Sequence, residues 1–223
     1  MSMGIGRRER KKLETRDRIV QCAVSLFASR GYEATTIEDI GECADLARAT
    51  VFNYFARKED LVLAWFERRR VDLARTLAEG RKRVSGTPKR LRQGFRTLAR
   101  FYEDDPATGR AMVRAWLLAG GPLLTPKSET SQIFANEIRL GQQAGDIRPD
   151  IDCDRAGLAL FDAYSGVLYR WVTDARGQNR LEDELVDTVD LLLAGIALSP
   201  ATKRTGSAPT RGRVAPRRGR RPS

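Results

Sequence analysis

Two short amphipathic stretches joined by a turn, and then the opening of a long helix, occupy 36–61 (TIEDIGECADLARATVFNYFARKEDL) and constrain the chain more than any other segment. Thr35 or Thr36 caps the first stretch, with Glu38 and Asp39 favourably placed in its first turn. Ile37, Ile40 and Ala44 form its buried stripe. A turn at Ala44-Asp45-Leu46 leads into a second helix, Ala47 to about Phe55, on which Val51 and Phe55, four apart, share a face. This is the layout of a helix-turn-helix, whose second helix lies in the DNA major groove while the first crosses the backbone.

The surrounding sequence predicts an all-α protein. Leu, Ala and Arg dominate, and no long alternation of β-branched residues appears. A first helix is predicted from about Leu13 to Ser29, stopped by Gly31. A long helix follows over 57–83, then helical patterns at about 88–103, 106–119, 128–144, 152–174 and 180–197. Breakers separate them: Gly86-Thr87-Pro88, Asp105-Pro106, Gly120-Gly121-Pro122, Gly145 with Pro149, and Gly177 with Asn179. The expected organisation is a basic N-terminal arm (1–12), a three-helix DNA-binding head (13–60), a helical body (61–198), to which the resemblance given below assigns effector binding and dimerisation, and a disordered Arg-rich tail (199–223).

Composition narrows the function. No apolar run reaches the roughly 18 residues of a membrane span, and the basic N-terminus lacks a signal-peptide core. A cytoplasmic protein without a membrane partner is expected. The chain has no histidine, which removes the usual general base and the commonest zinc ligand. Carboxylates such as Asp152, Asp154 and Asp162 read as helix-start residues rather than catalytic groups. No enzyme activity, metal or cofactor is expected. Cys22, Cys43 and Cys153 are scattered singly, which argues against a disulfide framework. The first two read as small core residues of the head.

The formal charge of +11 is uneven: +4 over residues 1–18, +8 over 199–223 and −1 over the rest. The head itself, 19–62, holds four basic residues against seven acidic ones. Its specificity must rest on a few aimed side chains, with non-specific attraction supplied from the ends. Arg7, Arg8, Arg10, Lys11 and Lys12 adjoin the first helix and are candidates for phosphate contact. For the tail arginines (Arg211, Arg213, Arg217, Arg218, Arg220, Arg221) a solubilising role is favoured over DNA contact.

Arg48, Ala49, Thr50 and Asn53 lie opposite the buried face of the second motif helix. Arg48 suits two-point pairing with guanine and Asn53 with adenine. The hydroxyls of Thr36, Thr50 and Tyr54 suit phosphate oxygens. Lys58, at the start of the long helix, combines an ammonium with a helix N-terminus. A solvated helix face offers the same residue types, so the whole ordered string carries the reading.

That string resembles the tetracycline-repressor (TetR) family of bacterial transcription regulators. The resemblance rests on Leu26-Phe27, Gly31-Tyr32, Thr35-Thr36-Ile37 with Ile40, Thr50-Val51-Phe52-Asn53-Tyr54-Phe55, and Lys58-Glu59-Asp60-Leu61. It implies a three-helix DNA-binding head, a variable ligand-binding body and a homodimer. The chain departs from the family pattern at Asp45 for the usual small turn residue, Ala47 for a polar cap, and Phe52 for the first tyrosine.

In the body, Trp65, Phe66, Phe95, Tyr102, Met112, Trp116 and Phe134 are candidate effector contacts, with Arg114 and Asn136 as polar handles. A mostly apolar pocket suits a hydrophobic or amphipathic small molecule. Leu158, Phe161, Ser165 and Tyr169, with Leu185, Val189 and Leu192, are predicted to form a four-helix seam between subunits. Closure of the monomer's own core is the competing reading. The expected function is a homodimeric repressor released from a pseudo-palindromic operator. A redox-sensing regulator acting through Cys153 and a non-specific nucleic-acid-binding protein are the rivals.

Overall fold

The computed structural model describes residues 6–121, 128–174 and 180–196. Among them are nine α-helices and no strand: α1 (Arg7–Arg30), α2 (Ile37–Cys43), α3 (Arg48–Tyr54), α4 (Lys58–Arg83), α5 (Thr87–Glu103), α6 (Pro106–Leu118), α7 (Glu129–Gln143), α8 (Cys153–Thr173) and α9 (Leu181–Ile196). The fold is all-α, as the sequence predicts. The proposed tail, 199–223, lies outside the described residues.

Helices α1 to α3 form the head. Ile19, Ala23 and Phe27 bury the core face of α1, and Gly31 ends it at φ 88°. α1 begins at Arg7 rather than near Leu13, so the basic segment is its first turns. Arg, Lys and Glu are strong helix formers, and an Arg10–Glu14 pair one turn apart (3.9 Å) supports the extension.

A capping box starts α2: Thr36 Oγ1 accepts from the Asp39 amide while the Asp39 carboxylate accepts from the Thr36 amide. Those bonds hold the Asp39 carboxyl below its ordinary pKa. The turn into α3 uses Asp45 in the left-handed region, at φ 52°, a conformation Asp tolerates better than most residues. α3 starts at Ala47 with no side-chain cap. Within α2, a Cβ on Gly41 would approach the Leu46 carbonyl oxygen to 2.8 Å, so a bare backbone lets the turn close on its helix.

The cysteines depart from expectation. Cys22 on α1 and Cys43 at the end of α2 are joined as a disulfide, their Cα atoms 5.8 Å apart. Cys22 is half-buried and Cys43 exposed. Both lie off the stripes that face the core, Ile19–Ala23–Phe27 on α1 and Ile40 on α2. The pair joins α1 to α2 at the margin of the core, with Cys22 packed against it and Cys43 outside.

α4 runs unbroken from head to body, so the expected boundary at residue 60 falls inside it. α5 packs on α4 and α9, α7 on α8, and α8 on α9. Gly157 allows the α7–α8 approach, since a Cβ there would meet the Ser131 carbonyl oxygen at 2.5 Å and the Ala135 nitrogen at 2.6 Å. One apolar core extends from Ile19 in the head to Leu193 in α9.

The predicted seam is redistributed. Phe161, Ser165, Leu185 and Val189 are buried in the chain's own core, and Leu192 is half-buried. Leu158 and Tyr169 face outward, joined by Leu191 of α9, which is 78% exposed. α8 is apolar around most of its circumference, so spacing alone does not separate its inward side from its outward one.

Candidate DNA-reading face and effector chamber

The outer side of α3 carries Arg48, Ala49 and Asn53 exposed, with Thr50 and Tyr54 half-buried beside them. Val51 and Phe55 bury the opposite side, fixing the rotation of α3 that turns these residues outward. Arg48 pairs with Glu38 of α2 at 2.8 Å and lies over the Phe52 ring at 5.3 Å. Two further arginines of the head are also paired, Arg30 with Asp39 (3.4 Å) and Arg57 with Asp60 (3.2 Å). Such exposed pairs are worth about 0–1 kcal/mol, so exchanging Glu38 for a base edge is inexpensive for Arg48.

Lys58 differs from its predicted placement at phosphate. Its ammonium turns inward and donates to the carbonyl oxygens of Tyr32 (2.7 Å) and Thr35 (3.0 Å), 4.2 Å from the Tyr32 ring centre. It fastens the start of α4 to the α1–α2 connection. The Thr36 hydroxyl is likewise engaged, in the α2 cap. The Tyr32 phenol is pushed up to about 12 by burial and by the neighbouring Glu59 carboxylate. Positive charge is most accessible on the first turns of α1, where residues 7–12 are all exposed.

Deeper in the molecule, most of the predicted effector residues converge. Trp65 meets Phe66, Phe101 and Tyr102 with ring centres 4.6–6.0 Å apart. Phe66 meets Trp116 at 5.5 Å. Phe95 stacks on Phe134 at 5.0 Å and touches Tyr164. Met112 is fully buried in the same core. The suggested polar handles are elsewhere. Arg114 lines a groove of about 420 Å³ between α6 and the end of α1, and Asn136 a smaller one between α4 and α7.

The polar group actually inside the cluster is Arg69. Only 6% of it is exposed, and its guanidinium lies 4.4 Å from the Phe66 ring centre, 5.5 Å from Tyr102 and 5.6 Å from Tyr164. Its Nη1 donates to the Tyr102 hydroxyl, which shares a 2.5 Å hydrogen bond with the Tyr164 hydroxyl. Among the described residues no carboxylate pairs with it, and its buried Nε has no partner. Each cation–π contact contributes about 0.5–2 kcal/mol; removing an ion from water costs several. Burial raises both phenols above their ordinary pKa, so both remain hydroxyls at neutral pH. The sequence signal was available: Arg69 continues the stripe Val62, Phe66, Leu73, Leu77, but it sits in the run Arg68-Arg69-Arg70, which reads as solvated charge.

A three-helix head with an outward reading helix, mounted on a helical body, defines a DNA-binding transcription regulator rather than an enzyme. Comparison with known proteins agrees. Residues 19–65 match the family described as bacterial regulatory proteins, tetR family. The repressor KstR of Rhodococcus jostii is 27% identical over 182 residues, 81% of this chain and 83% of its own. The regulator TtgR of Pseudomonas putida is 28% identical, with 90% of this chain and all of TtgR covered. The crystal structure of Thermus thermophilus FadR, a TetR-family transcriptional repressor in complex with lauroyl-CoA, superposes with a TM-score of 0.67 at 27% identity, covering 87% of this chain and 99% of FadR. The chain thus carries a TetR-type DNA-binding head and is similar to TetR-family transcriptional regulators over most of its length.

Proposed function

We propose that this protein is a homodimeric repressor, released from a pseudo-palindromic operator by a small hydrophobic or amphipathic effector. One observation carries the reading: α4 is a single helix whose first residue grips the head and whose third turn carries Phe66 and Arg69 in the aromatic cluster. A ligand that separates the cluster's helices moves α4, and Lys58 passes that movement to the carbonyls beside the α2 cap. The effector drives release only by its differential affinity for the two arrangements. The lauroyl-CoA complex of FadR and the repressor roles of KstR and FadR support the assignment.

On the operator, Arg48 and Asn53 read base edges, Ala49 packs at the groove, and Thr50, Tyr54 and Thr36 flank the backbone. The first turns of α1 supply phosphate contacts. The subunits pair through the outward sides of α8 and α9, around Leu158, Tyr169 and Leu191. Footprinting tests this. A protected pseudo-palindrome near the protein's own gene, with half-sites about one helical turn or a multiple apart, is the expected result. Uniform weak protection of all DNA defeats it in favour of non-specific binding.

A second reading is favoured by the Cys22–Cys43 pair: oxidation state tunes the head. Two thiols forming the disulfide release two protons and two electrons to an oxidant such as a peroxide or another disulfide. Cys153, the site expected from sequence, is a free thiol that donates to Gln142 Oε1. If this reading holds, reductant changes operator affinity, Cys43→Ser abolishes the change, and Cys153→Ser leaves it intact.

A further inference from the structure

We infer that the effector is an organic anion: a carboxylate on an aromatic or long aliphatic skeleton, its charged end held by Arg69, Tyr102 and Tyr164. This rests on the ligand-responsive reading above and adds the ligand's charge and the residues that receive it.

The case is a count of donors and charge. A guanidinium carries five N–H donors and each phenol one. The acceptors recorded within the cluster are the two phenol oxygens, and one of them already accepts from Arg69. The buried Nε donates to nothing. The cluster therefore holds surplus donors and an uncompensated positive charge in a site screened from water. A carboxylate supplies what is missing: a negative charge, two oxygens with about four acceptor positions, and a shape that matches the guanidinium fork. A neutral ligand leaves the charge unmet, and a cationic one adds to it.

Aromatic walls set the rest of the ligand. Trp65, Phe66 and Trp171 surround Tyr102 with ring centres 6.0–6.5 Å away, and Trp116 packs on Phe66. Trp65 and Trp116 are only half-buried, which places the route from solvent on their side. The anion enters first and the apolar skeleton fills in behind it. The cluster is closed on itself, so binding requires α4, α5 and α8 to part around Arg69. That movement is the one the release mechanism needs.

The competing account makes Arg69 purely structural, a cation retained by three rings. The two accounts differ in what replacing it does. Methionine matches its length and removes its charge. On our reading Arg69→Met folds with an unchanged or higher Tm and loses anion binding; on the structural account the Tm falls.

The test titrates the full chain, following tryptophan fluorescence, with benzoate, 2-naphthoate and dodecanoate, and with the alcohol and amine of each skeleton. At least one carboxylate is expected to bind ten-fold or more tightly than its own alcohol and amine. Arg69→Met should erase that preference, and Tyr102→Phe and Tyr164→Phe, which keep the cation, should weaken it several-fold. Carboxylates that bind no tighter than the alcohols, a preference that survives Arg69→Met, or an Arg69→Met protein of lower Tm overturns the inference. A carboxylate bound through Arg69 that leaves operator binding unchanged would uphold the inference and defeat effector-driven release. Release by a neutral compound, insensitive to Arg69→Met, would do the reverse.

Discussion

Two buried arginines in this body are treated in opposite ways. Arg90, on α5, donates to Glu137 at 2.6 Å, and Glu137 also pairs with Arg81 at 2.8 Å. Arg90 Nη2 donates to Thr87 Oγ1, and Asp146 accepts from the Thr87 amide. Every member of that network has a partner, and it clamps α4, α5 and α7 at the end far from the head. Arg69, about three turns along α4 from the head, is as deeply buried and, among the described residues, has rings and phenols but no carboxylate partner. A finished network marks a place the molecule keeps fixed. An unfinished one, among packed aromatic rings, leaves a donor and a charge for a ligand to meet, which is the inference drawn above.

The largest effect should come from breaking the finished network. Glu137→Ala strands Arg90 as an uncompensated buried charge and should cost about 3–5 kcal/mol of unfolding free energy, read by urea denaturation. Arg69→Met in the same assay should cost nothing. Equal losses for the two variants would erase the distinction, and with it the reason for treating Arg69 as a receptor for an anion.

Next in size is a third arginine environment, the exposed Arg48–Glu38 pair. Arg48→Ala should weaken operator binding by about 1–3 kcal/mol and relax preference at one base pair, measured by titration against operators varied position by position. Stability should change by less than about 1 kcal/mol, because the lost pair is exposed. A large loss of stability with unchanged base preference would move Arg48 from reading DNA to holding the head together.

The disulfide sharpens the contrast between a fixed head and an adaptable body. Closing a loop of the 21-residue separation between Cys22 and Cys43 contributes about 3 kcal/mol through the unfolded state. Cys22→Ser should lower the stability of the oxidised protein by up to that amount and leave the reduced protein unchanged. Identical losses in both redox states would show that the serine acts through packing instead.

Much of this was legible in the sequence, and the exceptions share a cause. Helix positions followed from periodicity and breakers, and the outward face of α3 followed from Val51 and Phe55 being four apart. Periodicity reports only what a helix shows to its surroundings, not which surroundings it meets. It could not say that Cys22 meets Cys43, which depends on how α1 crosses α2. Nor could it say that the Lys58 ammonium turns toward the Tyr32 and Thr35 carbonyls, which a distant loop presents. For α8, apolar almost all round, it sorted Phe161 and Ser165 to the subunit seam when they face the chain's own core. Arg69 was missed for a different reason: its neighbours Arg68 and Arg70 disguised a stripe position as a charge run.

The smallest expected effect is also the most selective. Glu38→Gln releases Arg48 from its partner without removing Arg48 itself. The exposed pair contributes about 0–1 kcal/mol, so the fold should barely notice. Operator affinity should rise modestly, because Arg48 no longer exchanges one anion for another and a carboxylate facing the phosphates is gone. The gain should shrink as salt is raised and exposed charges are screened over about 8 Å, whereas base preference should stay as it was. Unchanged affinity at low salt would mean that Glu38 does not compete for Arg48 when DNA is bound. The pair would then belong with Arg90–Glu137 among the fixed contacts, and the reading of α3 would have to rest on Asn53 and Thr50 instead.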